Sequence, residues 1–160
     1  MKNQPFNSFA GVYYRKIQIY MKKAFKQLGI SFDEGIVLLN VLYHPGTTQD
    51  SIADNLVLDT AAVARSLKAL EQKGYLSRVI DENNQRRKLV TISPSGAELA
   101  RRINGAMQAW DNIVLSEYDE AETGRIINGM RSLQERAAAV DISAVLETWA
   151  GKEASEPAHP

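Results

Sequence analysis

The sequence predicts a mainly helical chain interrupted by one small β-hairpin. Three observations carry that prediction. Apolar residues recur at helical spacing on both sides of the segment from Thr47 to Gly96, the period inside that segment changes to alternation after Gly74, and a polar, basic run splits the alternating part in two. In order, residues 47–96 read helix, turn, helix, strand, basic loop, strand. That order is a winged helix-turn-helix, α with a small β-hairpin wing, flanked here by N- and C-terminal helices, and it makes duplex DNA the first functional expectation.

The first helix is predicted from Phe9, Val12, Tyr13, Ile17, Tyr20, Met21, Phe25 and Leu28, with Gly29 closing it. A second spans Phe32 to Tyr43, with Ile36, Leu39 and Tyr43 on one face, and Pro45-Gly46 stops it. The segment from Gln49 to Lys68 then has the skeleton of two short crossed helices. Ile52, Ala53 and Leu56 share a face of the first, and Ala53 is small enough to let the second approach. Val57 and Leu58 fall in the turn, and Asp59 is placed to cap the next helix through its free N–H groups.

That next helix, running to about Lys73, has Val63, Leu67 and Leu70 as its core stripe. At about 100° per residue, Ala61, Arg65, Lys68 and Gln72 point the opposite way, with Ala62, Ser66 and Ala69 on the flanks. A face of small residues plus Arg and Lys can enter a major groove, set apolar atoms against thymine methyls and offer donors to guanine. On an isolated helix Arg65 and Lys68 would read as ordinary solvated charges; the surrounding pattern favours recognition. Thr60, Ala61, Ala62, Arg65, Ser66 and Lys68 are therefore the candidate DNA-reading residues of this helix.

Gly74 ends the helix. Tyr75 to Ile80 and Lys88 to Ile92 alternate as strands, and the run from Asp81 to Arg87 between them is a polar turn carrying cations. Two strands with a basic tip make a hairpin wing, which can reach phosphate or the minor groove beside a seated recognition helix. Asn84, Arg86 and Arg87 complete the candidate DNA-contacting set.

After the wing, Ser93 can cap a helix with Pro94 at its first position, and Leu99, Ile103, Met107, Trp110 and Val114 continue it. Asp119 with Glu122 resembles a capping arrangement for the next helix, which carries Ile126, Ile127, Met130, Leu133 and Ala137. Ile142, Val145, Leu146 and Trp149 predict a short last helix whose apolar face docks on the same region. An apolar stripe of this size on terminal helices fits either intrachain core or a symmetric interface between two chains. The expected organisation is thus 1–46, an N-terminal dimerisation helix and the first helix of the DNA-binding lobe; 47–96, the winged helix-turn-helix core; 97–150, C-terminal dimerisation helices; and 151–160, a disordered tail.

The run Leu70-Glu71-Gln72-Lys73-Gly74-Tyr75-Leu76-Ser77-Arg78, then Asp81, Asn84-Gln85-Arg86-Arg87 and Val90-Thr91-Ile92-Ser93-Pro94-Ser95-Gly96, resembles the wing signature of the MarR family of bacterial transcriptional regulators. In helix order and spacing the resemblance extends over roughly residues 6 to 140. It implies a homodimer that binds a pseudo-palindromic operator, usually as a repressor, through an interface built from the N-terminal and last two long helices. It also implies release of DNA when a small aromatic or phenolic effector binds between the dimer helices and the reading head. One departure stands out. The family has Asp-x-Arg at the wing tip, with the acid bracing the arginine, whereas this chain has Asn84-Gln85-Arg86, which can hydrogen-bond but carries no acidic charge.

Charge is segregated along the chain. The net formal charge of the 160 residues is zero. Residues 60–93 nevertheless hold seven Lys/Arg against Glu71, Asp81 and Glu82, about +4, while residues 96–160 hold six basic against eleven acidic residues, about −5. The absence of cysteine excludes disulfide switching, thiol peroxide sensing and Cys-ligated zinc. Met-Lys-Asn-Gln-Pro-Phe has no signal-peptide core and no run approaches the roughly 20 apolar residues of a membrane span, so a cytoplasmic location is expected. Catalysis finds little support. The two histidines are His44, beside Pro45, and His159 near the end; Gly-Thr-Thr after Pro45 lacks the Lys-Ser/Thr of a phosphate loop; Asp50 and Asp54 read as solvated, and no cofactor or metal is expected.

The aromatic residues of the first two helices admit two readings. Tyr13, Tyr14, Tyr20, Phe25 and Tyr43 either fill a dimer core, or Tyr13, Tyr20 and Tyr43 meet in a cleft suited to a planar organic ligand. Two functional classes also stand: an operator-binding homodimeric regulator, or a winged-helix module that binds protein through the same face.

Overall fold

The computed structural model describes residues 4–82 and 84–153, with the Arg86 side chain and those at the chain end after 150 outside that description. The order of elements is α1 (Phe6–Gln27), α2 (Phe32–Tyr43), α3 (Gln49–Leu56), α4 (Thr60–Gln72), β1 (Leu76–Asp81), β2 (Asn84–Ile92), α5 (Pro94–Val114), α6 (Glu120–Ala138) and α7 (Ile142–Glu153). Two compact units divide between Ile113 and Val114.

In the first unit the starts of α2, α3 and α4 each have a local cause. The Ser31 hydroxyl accepts from the Glu34 N–H at 3.1 Å and the Glu34 carboxylate accepts from the Ser31 N–H at 2.7 Å, a reciprocal capping box that starts α2. Thr48 caps α3 by accepting from the Ser51 N–H at 3.2 Å. Asp59 caps α4, accepting from Ala61 and Ala62 at 3.0 and 3.3 Å, as its position in the sequence predicts. At the far end of α4, Gly74 takes φ +74° and the Tyr75 N–H reaches back to the Leu70 carbonyl at 3.0 Å, so the chain reverses directly into β1.

The core of this unit joins all of these elements. Phe25 of α1, Val37, Leu38 and Val41 of α2, Ile52 of α3, Val63, Leu67 and Leu70 of α4, Val90 of β2 and Ile103 of α5 are fully buried in one cluster. Gly35 lies so close beneath the Phe25 ring that a Cβ there would collide with it, which makes α1 and α2 a tightly packed pair. Gly96 is equally crowded by the Tyr75 carbonyl. The Ser93 and Ser95 hydroxyls both donate to the Gly74 carbonyl, at 2.8 and 3.0 Å, and Ser93 caps α5 by accepting from the Gly96 N–H at 3.0 Å. The Ser-Pro-Ser-Gly run therefore fastens the start of α5 to the turn between α4 and the wing.

The wing differs from expectation in one respect. Asn84 to Arg87 belong to β2 instead of a turn. Pairing runs in register from Leu76↔Ile92 to Ile80↔Lys88 and then jumps to Asp81↔Asn84, so Gln85, Arg86 and Arg87 form a bulge on the longer strand. A solvated hairpin arm needs no apolar alternation to continue its ladder, which is why the polar composition of this stretch concealed its strand character. The Val90 N–H also donates to the Thr47 carbonyl at 2.8 Å, holding the α2–α3 loop against β2.

In the second unit, Asp119 and Glu122 form the expected capping box at the start of α6, with bonds of 2.7 and 3.0 Å. Neither α6 nor the described part of α7 contains a buried residue. Ile126, Ile127, Met130 and Leu133 of α6 and Ile142, Val145, Leu146 and Trp149 of α7 are all exposed in the single chain. The last helix continues to Glu153, three residues into the segment expected to lack structure; helical spacing there is carried by the apolar residues before it. The remainder of that segment, 154–160, lies outside the described residues.

Candidate nucleic-acid interface

The α4 helix turns its apolar stripe inward and leaves Thr60, Ala61, Arg65 and Lys68 exposed, with Ala62 partly so. Arg65 and Lys68 make no ion pair among the described residues, so both cations are available to a partner. Ser66 departs from the expected set. It is only 7% exposed, because it lies nearer the Val63–Leu70 side of the helix than Ala62 or Ala69 do, and it faces the start of α2 across a hollow shared with Ser31 and Glu34.

At the wing, Asn84 and Arg87 are exposed and line a cleft of about 480 Å³ together with Thr48, Gln49, Asp50 and Lys88. The cleft brings the first turn of α3 beside the wing, a juxtaposition the sequence reading did not anticipate. Thr48, three residues before Ser51 and directly before the apolar-periodic run, was the signal for that helix start. The acid beside Arg87 is Asp81 on the opposite strand, 3.9 Å away and nearly buried. The Arg86 side chain lies outside the described residues.

Among the described residues, three of the cations counted over residues 60–93 are engaged. Lys73 pairs with Glu34 at 2.9 Å, Arg78 with Glu71 at 2.6 Å and Arg87 with Asp81 at 3.9 Å. The Arg78 hydrogen bond holds the Glu71 carboxyl below its usual range; burial opposes it, and the charges of Arg78 and Lys88 add to the lowering. The tally of about +4 already subtracts Glu71 and Asp81, so among the described residues the pair that lowers it is Lys73–Glu34, by one charge. Glu34, 7% exposed, was missed altogether; Ser31 and Glu34 three apart before an apolar run was the available signal.

The three tyrosines expected to share a cleft do not converge. Tyr20 donates to the Ala106 carbonyl at 3.0 Å and packs against Trp110 with ring centroids 5.2 Å apart. Tyr43 donates to Asn104 at 2.8 Å. Both hydroxyls are thus committed to α5. Tyr13 instead lines a separate pocket of about 240 Å³ with Tyr14, Ile17, Met21, Phe25, Phe32 and Met107. Helical spacing places side chains on a face but does not say which neighbour that face meets, and α5 was the neighbour left out of the expectation.

A helix with an exposed Arg/Lys face, capped by Asp59 and followed by a hairpin with basic residues on its bulge, defines the class as winged helix-turn-helix. The sequence profile of the MarR family matches residues 33–88, which span α2 through most of the wing. Over that segment the chain is similar to the MarR family. It is 23% identical over 130 residues to the HTH-type transcriptional regulator BilQ of Clostridium symbiosum (strain WAL-14163), covering 81% of this chain and 90% of that protein. Among solved structures it is similar to a MarR transcriptional regulator from Methanosarcina mazei Go1, with TM-score 0.75 and 27% identity over 84% of this chain and 97% of that one. A protein from Listeria monocytogenes, described as a MarR family transcriptional regulator complexed with 26mer DNA, shares the fold with TM-score 0.78 and 20% identity, over 99% of this chain and 100% of that one. No helix among the described residues is long and apolar enough to cross a membrane.

Proposed function

We propose that this chain is a cytoplasmic, homodimeric repressor that binds a pseudo-palindromic operator in double-stranded DNA and releases it when a small aromatic or phenolic molecule binds. The observation that carries the reading is the outward face of α4, where Ala61, Arg65 and Lys68 stand exposed directly opposite the buried Val63, Leu67 and Leu70. A helix so placed can enter a major groove without disturbing its own core. In that pose Arg65 addresses base edges, Lys68 and the wing residues Asn84, Arg86 and Arg87 address the backbone or minor groove, and Thr60, Ala61 and Ala62 give the helix a slim leading end. A relative's complex with 26mer DNA supports the same reading.

The salt dependence of duplex binding tests it. Neutralising phosphates releases counterions, so the logarithm of the affinity should fall with the logarithm of salt at a slope of several units. Binding that is insensitive to salt, or no duplex binding at all, would favour a protein-binding module.

Homodimerisation is supported by the apolar residues that the chain cannot bury itself. Phe6, Phe9 and Val12 of α1 and Ile127, Met130 and Leu133 of α6 are exposed at helical spacing, and a second copy offers the same faces in return. For the effector, the pocket of about 240 Å³ beside Tyr13 suits one planar apolar ring, whereas Tyr20 and Tyr43 act there only through the packing of α5.

A further inference from the structure

Lys73 is a basic residue at the end of the recognition helix, and by sequence alone it counts towards the DNA-facing charge. Its geometry gives it other work. The ammonium donates to both carboxylate oxygens of Glu34, at 3.0 and 2.9 Å, and to the Gly29 carbonyl at 3.1 Å. Those three bonds use all three of its protons. It is the C-cap residue of α4, whereas Glu34 sits in the first turn of α2 and Gly29 in the turn that leaves α1. A cation at the carbonyl end of one helix therefore meets an anion at the N–H end of another, so each also offsets the partial charge of its own helix terminus. Glu34 is 7% exposed and is itself fixed by the Ser31 N–H at 2.7 Å, so the acceptor cannot swing to follow a moving lysine.

We propose that the Lys73–Glu34 pair is the positioning element that fixes the axial register of α4, and so the aim of Arg65, without touching DNA. Apolar packing of Val63, Leu67 and Leu70 tolerates small slides and rotations of a helix, while a hydrogen-bonded charge pair whose acceptor is buried and fixed does not. Asp59 bonds only to the N–H groups of α4 itself. Glu71 ties the same end of the helix to the wing through Arg78, and Lys73 ties it to the start of α2. Arg65 is two turns from that anchor, so a rotation permitted at Lys73 displaces the guanidinium across base edges. The inference rests on α4 reading DNA.

Electrostatics and positioning predict opposite signs for one substitution. If Glu34 acted only as a negative charge near DNA, Glu34→Gln would strengthen binding to every duplex. As part of the anchor, its loss lowers discrimination. The experiment measures the affinity of the full chain for the best duplex selected by the wild type from a random pool and for a scrambled duplex of equal length, each over a range of salt. The expected result is that Glu34→Gln and Lys73→Met each reduce the selected-to-scrambled affinity ratio about tenfold, and that the double variant reduces it no further. The salt slope of Lys73→Met should match the wild type, since no phosphate contact is lost. Lys73→Arg, which keeps a cation at the same cap, should hold the ratio within about twofold and shows that a folded variant at this position reads normally. An unchanged ratio in Glu34→Gln, or a slope lowered by about one with an unchanged ratio in Lys73→Met, overturns the inference while the operator reading stands. A wild type that selects no duplex overturns both.

Discussion

The Arg78 guanidinium donates to the Glu71 carboxylate at 2.6 Å, joining the last turn of α4 to the first strand of the wing. The two elements that would meet DNA are thereby tied side chain to side chain as well as through the turn at Gly74. Because that bond holds the Glu71 carboxyl below its ordinary value of 4.5, the pair contributes stability above that value and loses it as the pH falls through the lowered one. Glu71→Gln should therefore melt a few degrees below the wild type at about pH 6, and the gap should close as the pH falls below 4.5. Thermal melts of both proteins across that range check the sign; a gap that widened in acid would contradict it.

Arg65 and Lys68 should separate under mutation. Arg65→Ala should cost about 1 to 3 kcal/mol on the selected sequence and much less on random DNA, as a bidentate guanine contact would. Lys68→Ala, Arg86→Ala and Arg87→Ala should weaken binding to every duplex and each lower the salt slope by about one. Titrations of the four variants on both duplexes decide the assignment, which fails if Arg65→Ala loses affinity uniformly and Lys68→Ala loses discrimination.

Val57 holds the turn between α3 and α4 at φ +52°, a left-handed conformation that crowds a β-branched side chain, and it is 91% exposed with no packing to offset the strain. Val57→Gly should raise stability by about 1 kcal/mol in denaturant unfolding, with the denaturant slope unchanged. A loss of stability would show that the valine side chain contributes something its exposure does not reveal.

On α6, Met130 is more than half exposed in a helix without a buried residue. If a second copy covers it, Met130→Glu places a charge in an apolar interface and should shift the protein towards monomer at micromolar concentration in sedimentation, with operator affinity falling in parallel. A wild type that sediments as a monomer would remove the basis for a twofold site.

Much of the fold could be read from residues whose physics is local. Asp59, Gly74, Ser93 and the Asp119–Glu122 pair each act within four or five positions of themselves, so their types and spacing were enough to place helix ends. What depended on distant neighbours was less legible. Glu34 and Lys73 lie 39 positions apart, and neither looks like half of an ion pair until α2 and α4 are packed. Tyr20 and Tyr43 meet α5, 86 and 61 positions away, which periodicity on their own helices could not foresee. Ser66 fell between faces: the helical wheel put it on a flank, and only the approach of α2 decided that this flank is covered.

The most direct measurement is selection of bound duplexes from a random pool with the full chain. Two α4 helices related by a twofold axis must enter successive major-groove segments on one side of the duplex, roughly 10 base pairs or 34 Å apart. The account predicts enrichment of an inverted repeat with that half-site spacing. Recovery of no preferred sequence, or of a single site without an inverted copy, would contradict it.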